Sequence, residues 1–442
     1  MSIDLEHVKR VLTSEIKDIL ADTGIPSLSI ALIRGDRVVW TEAFGYSNVR
    51  LKVPATSSTI YSVGSCLKPV TAMAVMQLVD DGKIGLDDPI NKHLGDDAVN
   101  DLSKDDKPVT IRHLLSHYSG LSVSHEMLPL WKGRRPKSLQ QLASELTAEQ
   151  DPGTTYRYSN SSYALAGLLI EKVSGLSYEQ YLVDRILKPL GVKVDGPIHP
   201  TPAMIEQMAF PYRVEERKPV PQARYRFDVY PAGDAYLSVP DMARILLTQI
   251  NEGASILSRD SVKEMQTAQF GGDSGMDFGI NEFAGDKLLI HAGGVPGFST
   301  KFILSPNAKV GVYVASNAGD AHLVNNIVTQ AAIDLLRGRK LGTGLLREVT
   351  GFGFQPAIDA DSGFIRIVEV FPRSPARQAG LTVGDLVRKA NGATVSGKSL
   401  PEFLRMIAGP ADKPVKLELF DSKRQRTQTI ELLRGNFLVP GS

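Results

Sequence analysis

A serine and a lysine, Ser65 and Lys68, stand three residues apart at the start of the run YSVGSCLKPVTAMAVMQLVDDG, residues 61–82. A serine hydroxyl is a weak nucleophile and needs a base. A spacing of three on a helix puts both side chains on one face, within reach of each other. The residues after Lys68 are apolar on nearly every helical face, the pattern of a buried helix. Lysine is seldom buried, and burial lowers its pKa by disfavouring the charged form. The pair therefore has the chemistry of a nucleophile and its base. First-turn backbone N–H groups beside Ser65 would favour developing negative charge. On these two residues alone a plainer alternative stays open, in which Ser65 caps the helix and Lys68 is a solvated first-turn residue.

Such a pair needs a framework, and the patterning supplies one. Residues 4–22 have the spacing of a charged amphipathic helix, and SLSIALIRGDRVVWTEAFGY alternates like two strands around a turn at Gly35-Asp36. The apolar helix follows and stops at Gly82. From about 83 to 255 the pattern is mostly helical, with 195–232 reading as a long irregular excursion rich in proline and arginine. Strands return in KLLIHAGGVPGF and in STKFILSPNAKVGVYVASN, the latter broken at Pro306-Asn307, and a helix follows over about 320–337. Strands at both ends with helices between imply one sheet assembled from both ends and a helical region inserted into it. The stretch RGRKLGTG, 337–344, reads as linker-like, with the linker at 339–344 separating residues 1–338 from a β-rich module over 345–438. A length of 442 residues agrees with two domains.

Composition narrows the chemistry. A net charge of +1 with dispersed lysines and arginines gives no electrostatic case for nucleic acid or an acidic membrane surface. One cysteine, Cys66, excludes an intramolecular disulfide and is expected to pack inside the helix. No apolar run reaches the ~20 residues of a membrane span, and MSIDLEHVKRVLTSEIKDIL is not a signal peptide, so a cytoplasmic location is expected. There is no G-x-S-x-G elbow, no H-E-x-x-H helix and no metal-ligand spacing among the eight histidines. DADSG at 359–363 reads as a turn rather than a calcium loop. Neither a metal nor a cofactor is expected.

Two further segments accompany Ser65-Cys66-Leu67-Lys68: Tyr158-Ser159-Asn160 and His291-Ala292-Gly293. Alone, Tyr158 would pass for a core aromatic, Asn160 for a helix N-cap and His291 for a strand histidine. Together, and in this order, they resemble the S-x-x-K, Y-x-N and H-x-G motifs of the serine β-lactamase and penicillin-recognising hydrolase superfamily, on its class C-like branch with esterases and D-aminopeptidases. LVDDGKIGLDDPI, IRHLLSHYSGL, YALAGLLIEKVSG and LKPLGV are similar in character, and the resemblance spans roughly 10–338. It implies an α/β (α+β) β-lactamase-like fold, an antiparallel sheet flanked by terminal helices with an inserted helical region.

The resemblance also implies roles. Ser65 forms an acyl-enzyme, Lys68 and Tyr158 share general-base duty, Asn160 binds the substrate amide, and His291 assists near Tyr158. Backbone N–H groups of Ser65 and Gly294 form an oxyanion hole, and Gly293 and Gly294 allow a substrate to run close along the strand. A phenol is a poor base unless a cation lowers its pKa, and Lys68 is the expected cation. His291 stands where efficient β-lactamases place lysine, which implies esters, D-amino-acid amides or peptides as substrates and weak β-lactam hydrolysis. Tyr118 in SHYSGL is larger than usual for the family and is expected to narrow a wall. Asp234 in YPAGDAYLS replaces a usual glycine and is expected to be a solvated loop aspartate, the alternative being contact with a substrate amine. A non-catalytic penicillin- or peptide-binding scaffold is the alternative to an enzyme.

The C-terminal module resembles a PDZ domain, most specifically in SPARQAGLTVGDLVRKANG, residues 374–392. The resemblance makes Gly351-Phe352-Gly353-Phe354 a carboxylate-binding loop and protein C-termini the expected partners. A purely packing or dimerising role is the alternative, and nothing in the sequence sets an oligomeric state.

Overall fold

The computed structural model describes all residues except 1–2, 98–106, 123–126, 130–136, 195, 216, 284–285, 340–345, 360–361, 372–373, 411, 422–425 and 441–442. The chain divides into two compact units, Met1–Lys340 and Leu341–Ser442. Apart from Arg339, the linker expected at 339–344 lies outside the described residues.

The first unit is built on a seven-stranded sheet drawn from both ends of its sequence. Its strands are β1 (Ser27–Arg34), β2 (Arg37–Asn48), β3 (Val53–Pro54), β4 (Gly279–Phe283), β5 (Asp286–Val295), β6 (Phe298–Ser305) and β7 (Val310–Ser316). Their order is β4-β5-β6-β7-β1-β2-β3, and every pairing is antiparallel. Continuous apolar runs explain the central strands: β1 and β7 are buried along almost their whole length, so both faces of the sheet are covered.

Helix α1 (Leu5–Thr23) starts because Asp4 accepts from the His7 N–H and stops at Gly24, whose φ of 77° only glycine adopts freely. It buries Val8, Leu12, Ile16 and Ile19, and with α6 (His322–Leu336) it contributes the terminal helices. Helix α2 (Lys68–Asp80) is buried from Lys68 through Leu78, as its unbroken apolar sequence demands. Around it pack α3 (Ile111–Leu115), α4 (Asn160–Ser174) and α5 (Val239–Ile250), the inserted region. The excursion expected at 195–232 is more ordered than its proline content suggests. It contains a helix, Pro202–Gln207, a hairpin pairing Tyr212–Glu215 with Lys218–Pro221, and a short strand, Tyr225–Phe227. Proline serves there at the first turn of the helix and inside an isolated hairpin, where the missing N–H costs little.

The second unit holds a sheet of β8 (Phe354–Ile358), β9 (Ile365–Val370), β10 (Leu386–Ala390), β11 (Val415–Asp421) and β12 (Arg426–Leu432), in that spatial order, with Ala393–Thr394 pairing on β10. It encloses its own core around Ile367, Leu381, Val387, Phe403 and Leu417. Helix α7 (Leu400–Met406) packs against β8, whose outer edge carries no strand among the described residues. No helix among the described residues is long and apolar enough to cross a membrane.

Candidate active site

Ser65 lies in a single 3₁₀ turn, Gly64–Leu67, that runs directly into α2. Lys68 opens that helix, is fully buried, and places Nζ 2.9 Å from Ser65 Oγ and 2.8 Å from the Ala232 carbonyl. Burial pushes its pKa down to about 8, against the opposing pull of the Asp277 carboxylate. The solvated-lysine alternative is thereby removed.

The Ala232 carbonyl is held by its own loop. Asp234, two residues on, is wholly buried, pairs with Arg226 Nε at 2.7 Å and accepts from the Phe227 N–H at 3.2 Å. This corrects the expectation of a solvated aspartate, and the buried pair also leaves it no part in meeting a substrate amine. A buried carboxylate needs a cation and hydrogen bonds, and Arg226 with the neighbouring strand supplies both.

Tyr158 precedes α4. Its ring is 39% exposed, and Lys68 Nζ lies 4.7 Å from the ring centroid. Burial and then the Asp277 charge raise the phenol's pKa above its ordinary value, against a smaller lowering by Ser65. The expectation that Lys68 would lower it therefore does not hold in the resting site, and the phenol rests protonated. Ser159, not Asn160, is the N-cap of α4, accepting from the Ser162 N–H at 3.1 Å. Asn160 is the first helical residue, half-buried next to Tyr158.

His291 and the two glycines lie on β5, which runs past the Ser65 turn. Here the structure gathers two residues that sequence reasoning passed over. Asp277 is buried and sets Oδ2 3.2 Å from His291 Nε2 and Oδ1 2.7 Å from His117 Nε2. The His117 ring is buried, accepts the Ser159 N–H at Nδ1 (3.1 Å) and lies 4.4 Å from the Tyr158 ring centre. Burial opposes the charge on His291, yet Asp277 prevails and lifts its pKa to about 10. Burial likewise lowers the pKa of His117, outweighing Asp277, and that ring stays neutral. Burial works against the charge of Asp277 itself, but the two histidines hold its carboxyl well below the usual carboxylate range. Both His117 and Asp277 adopt left-handed backbone, φ 65° and 64°, tolerated best by short polar or imidazole side chains.

The glycines do more than admit a substrate. A methyl at Gly293 would sit 2.3 Å from Val63 O and 3.1 Å from Ser65 N, and one at Gly64 would meet Gly294 N at 2.9 Å. Gly233 is similarly placed against Gly64 and Ser65, while a methyl at Gly294 would meet His322 at 2.8 Å. Bare backbone lets β5, the Ser65 turn and the Ala232 loop touch one another. This packing, rather than the approach of a substrate alone, is what requires Gly293. Cys66 is buried as expected, with Sγ near Thr300 Oγ1.

A pocket of about 300 Å³ opens beside Tyr158, lined by His117, Tyr156, Asp277, Asn281 and His291 among others. Tyr118 is buried behind its wall, its ring 4.9 Å from Phe270 and 5.8 Å from Tyr156. His117 lay in plain view in SHYSGL, but nothing in GMDFG marks Asp277 as more than a turn residue.

In the second unit, Gly351 ends the strand Leu346–Gly351, which pairs with Gly435–Pro440. Gly353 is buried with φ 78°, and the rings of Phe352 and Phe354 lie 6.3 Å apart against the core. The Arg434 guanidinium stacks 4.5 Å from the Phe352 ring centre. Asp359 closes the DADSG turn through the Ser362 N–H and pairs with Arg366.

Comparison with known proteins agrees with this geometry. Residues 12–334 match the Beta-lactamase family and residues 366–419 match the PDZ domain family. Protein flp of Staphylococcus aureus (strain MW2) is 27% identical over 317 residues, 69% of this chain and 63% of that protein. The chain thus spans under two thirds of the length of that curated relative. Among solved structures, the octameric penicillin-binding protein homologue from Pyrococcus abyssi superposes with a TM-score of 0.63 at 25% identity, covering 99% of this chain and 98% of that one. The D-amino acid amidase from Ochrobactrum anthropi SV3 gives 0.63 at 23% identity, covering 75% and 99%, a likeness of fold.

Proposed function

Since the chain belongs to the β-lactamase family, whose fold serves serine hydrolases, we propose that it is an acyl-transfer enzyme working through an ester on Ser65. The observation that carries this is the contact between Ser65 Oγ and a fully buried lysine whose pKa lies near neutrality. The neutral Lys68 amine takes the Ser65 proton as Oγ attacks the substrate carbonyl. The resulting oxyanion falls between the N–H groups of Ser65 and Gly294, donors typically worth ~3 kcal/mol each in the transition state. Tyr158, resting protonated, delivers a proton to the departing group and recovers one through Lys68. Water then cleaves the ester by the same relay in reverse. Asn160 and the β5 backbone hold the substrate amide. The substrate is a peptide, a D-amino-acid amide or an ester. A non-catalytic scaffold would leave the buried Lys68–Ser65 contact without a purpose.

The C-terminal module, in this reading, recruits peptide C-termini. The open edge of β8 accepts an added strand, and the Gly351–Phe354 loop meets the carboxylate. Intact-mass analysis after treatment with a fluorophosphonate tests the catalytic claim. A single adduct on Ser65, absent in Ser65→Ala with its melting temperature unchanged, is expected. Undiminished hydrolysis by purified Ser65→Ala would remove this nucleophile.

A further inference from the structure

We propose that Asp277 sets leaving-group specificity: paired with His291 inside the pocket beside Tyr158, it selects acyl donors whose leaving group bears no carboxylate. This rests on the acyl-transfer reading above and goes beyond it by naming a specificity residue.

The pocket lies on the leaving-group side. In the acyl-transfer reading the oxyanion lies with the Ser65 and Gly294 N–H groups, and the proton donor must stand with the group that departs. Tyr158 is that donor. Its ring is 4.4 Å from His117 and 6.4 Å from His291, two residues that line the pocket.

The pocket's cation is already neutralised. Both nitrogens of His291 face acceptors: Nδ1 lies 2.8 Å from the Ala292 carbonyl and Nε2 lies 3.2 Å from Asp277 Oδ2. The Ala292 carbonyl takes the Nδ1 proton, and the buried Asp277 carboxylate facing Nε2 holds the ring as an imidazolium. Asp277 is an anion by the same logic. His117 accepts the Ser159 N–H at Nδ1, so its single proton sits on Nε2 and points at Asp277 Oδ1, 2.7 Å away. One imidazolium, one carboxylate and one neutral imidazole sum to zero charge. Because the Asp277 side chain is only 1% exposed, solvent does not screen it. The other groups around His291 do not alter the balance. Tyr156 and Tyr158 are neutral, with pKa values raised, and Cys66 is buried. Asp273, close enough to act on Tyr156, adds negative charge. Lys68 is buried behind Ser65 and already engaged by Ser65 Oγ and the Ala232 carbonyl. A carboxylate entering this pocket would shed its water and, among the described residues that line it, find no unpaired cation. An ester, amide or aromatic leaving group loses nothing, and Tyr156 and Phe278 line its path.

The test compares two thioesters of one acyl group, an N-acyl-D-alanyl thioglycolate with its carboxylate free and the same compound as methyl ester. Released thiol is followed by colour, and each kcat/KM is divided by the uncatalysed rate. The wild-type chain is expected to favour the methyl ester by about tenfold or more, the scale of a lost charge-assisted contact. His291→Lys alone should keep that preference, because Asp277 still neutralises the new ammonium. Asp277→Asn combined with His291→Lys leaves the ammonium unpaired and should move the ratio toward the carboxylate by about tenfold. Equal or better use of the carboxylate by the wild type would overturn the proposal, as would a double variant no different from His291→Lys. Fluorophosphonate labelling, which involves no carboxylate, separates the two levels. An unlabelled wild-type Ser65 defeats the acyl-transfer reading, whereas a labelled enzyme without the preference defeats only the role of Asp277. If the variants fail to label, the wild-type ratio decides.

Discussion

Lowering the Lys68 pKa from its ordinary 10.5 to about 8 corresponds to about 3 kcal/mol of disfavoured ammonium. At pH 7 that leaves roughly one molecule in ten with a neutral amine, against roughly one in 3,000 for a solvated lysine, a gain of about 300-fold. The active form is the deprotonated one, so activity must rise as pH rises through the folded-state pKa. For a p-nitrophenyl ester, kcat/KM should climb about tenfold per pH unit up to about 8 and then level, because this ratio reports the free enzyme. Asp277 opposes the lowering, so Asp277→Asn should carry the rising limb to more acidic pH. Lys68→Arg keeps a cation but cannot lose its proton, and should cost about 10²- to 10⁴-fold. A flat profile between pH 6 and 8, or the same limb surviving in Lys68→Arg, would refute Lys68 as the base.

Tyr158→Phe removes the hydroxyl proposed to protonate the departing group and should lower kcat by about 10²- to 10⁴-fold; a variant within about tenfold of wild type would take Tyr158 out of the relay. Gly293→Ala puts a methyl 2.3 Å from two oxygens, one of them backbone, so fluorophosphonate labelling should slow by about 100-fold, on the scale of a lost oxyanion donor. Labelling at the wild-type rate would mean that β5 yields without disturbing the hole. A chain ending near Leu341 should lose activity on longer peptides while keeping it on a small ester, since a tethered peptide site raises local concentration for peptides alone. Equal losses on both substrates would assign the C-terminal module a structural role.

Ser65, Lys68, Tyr158, Asn160 and His291 were legible because each belongs to a short motif whose spacing means something locally, and the apolar run after Lys68 announced its burial. The strands were legible where apolar runs or turn residues bounded them, as at Gly35-Asp36 and Pro306-Asn307. What escaped was set by tertiary contact. Asp277 acquires meaning only from His117, 160 residues before it, and from His291 on the next strand. Asp234 looked like a solvated loop residue because its partner Arg226 sits in a stretch that reads as irregular. The phenol's pKa went the wrong way for a related reason. Burial and the nearby Asp277 charge, neither visible in the local motif, set the phenol's pKa.

The contact among Gly64, Gly233, Gly293 and the Ser65 turn means that the proposed oxyanion hole is specified by atoms that are missing. Most wall side chains stand apart from these main-chain contacts, whereas Asp277 bears both on the pocket and on the Lys68 pKa. Wall residues such as Tyr156 and Asn281 are therefore open to redesign by ordinary mutagenesis, each change altering what enters while the main-chain donors stay in place. The glycines have no such freedom. One added methyl at Gly64 or Gly293 meets main-chain atoms at 2.9 Å or 2.3 Å, and no neighbouring rotamer change can make room for it. A library that varies the walls and leaves these glycines fixed would sample new specificities on an unaltered engine.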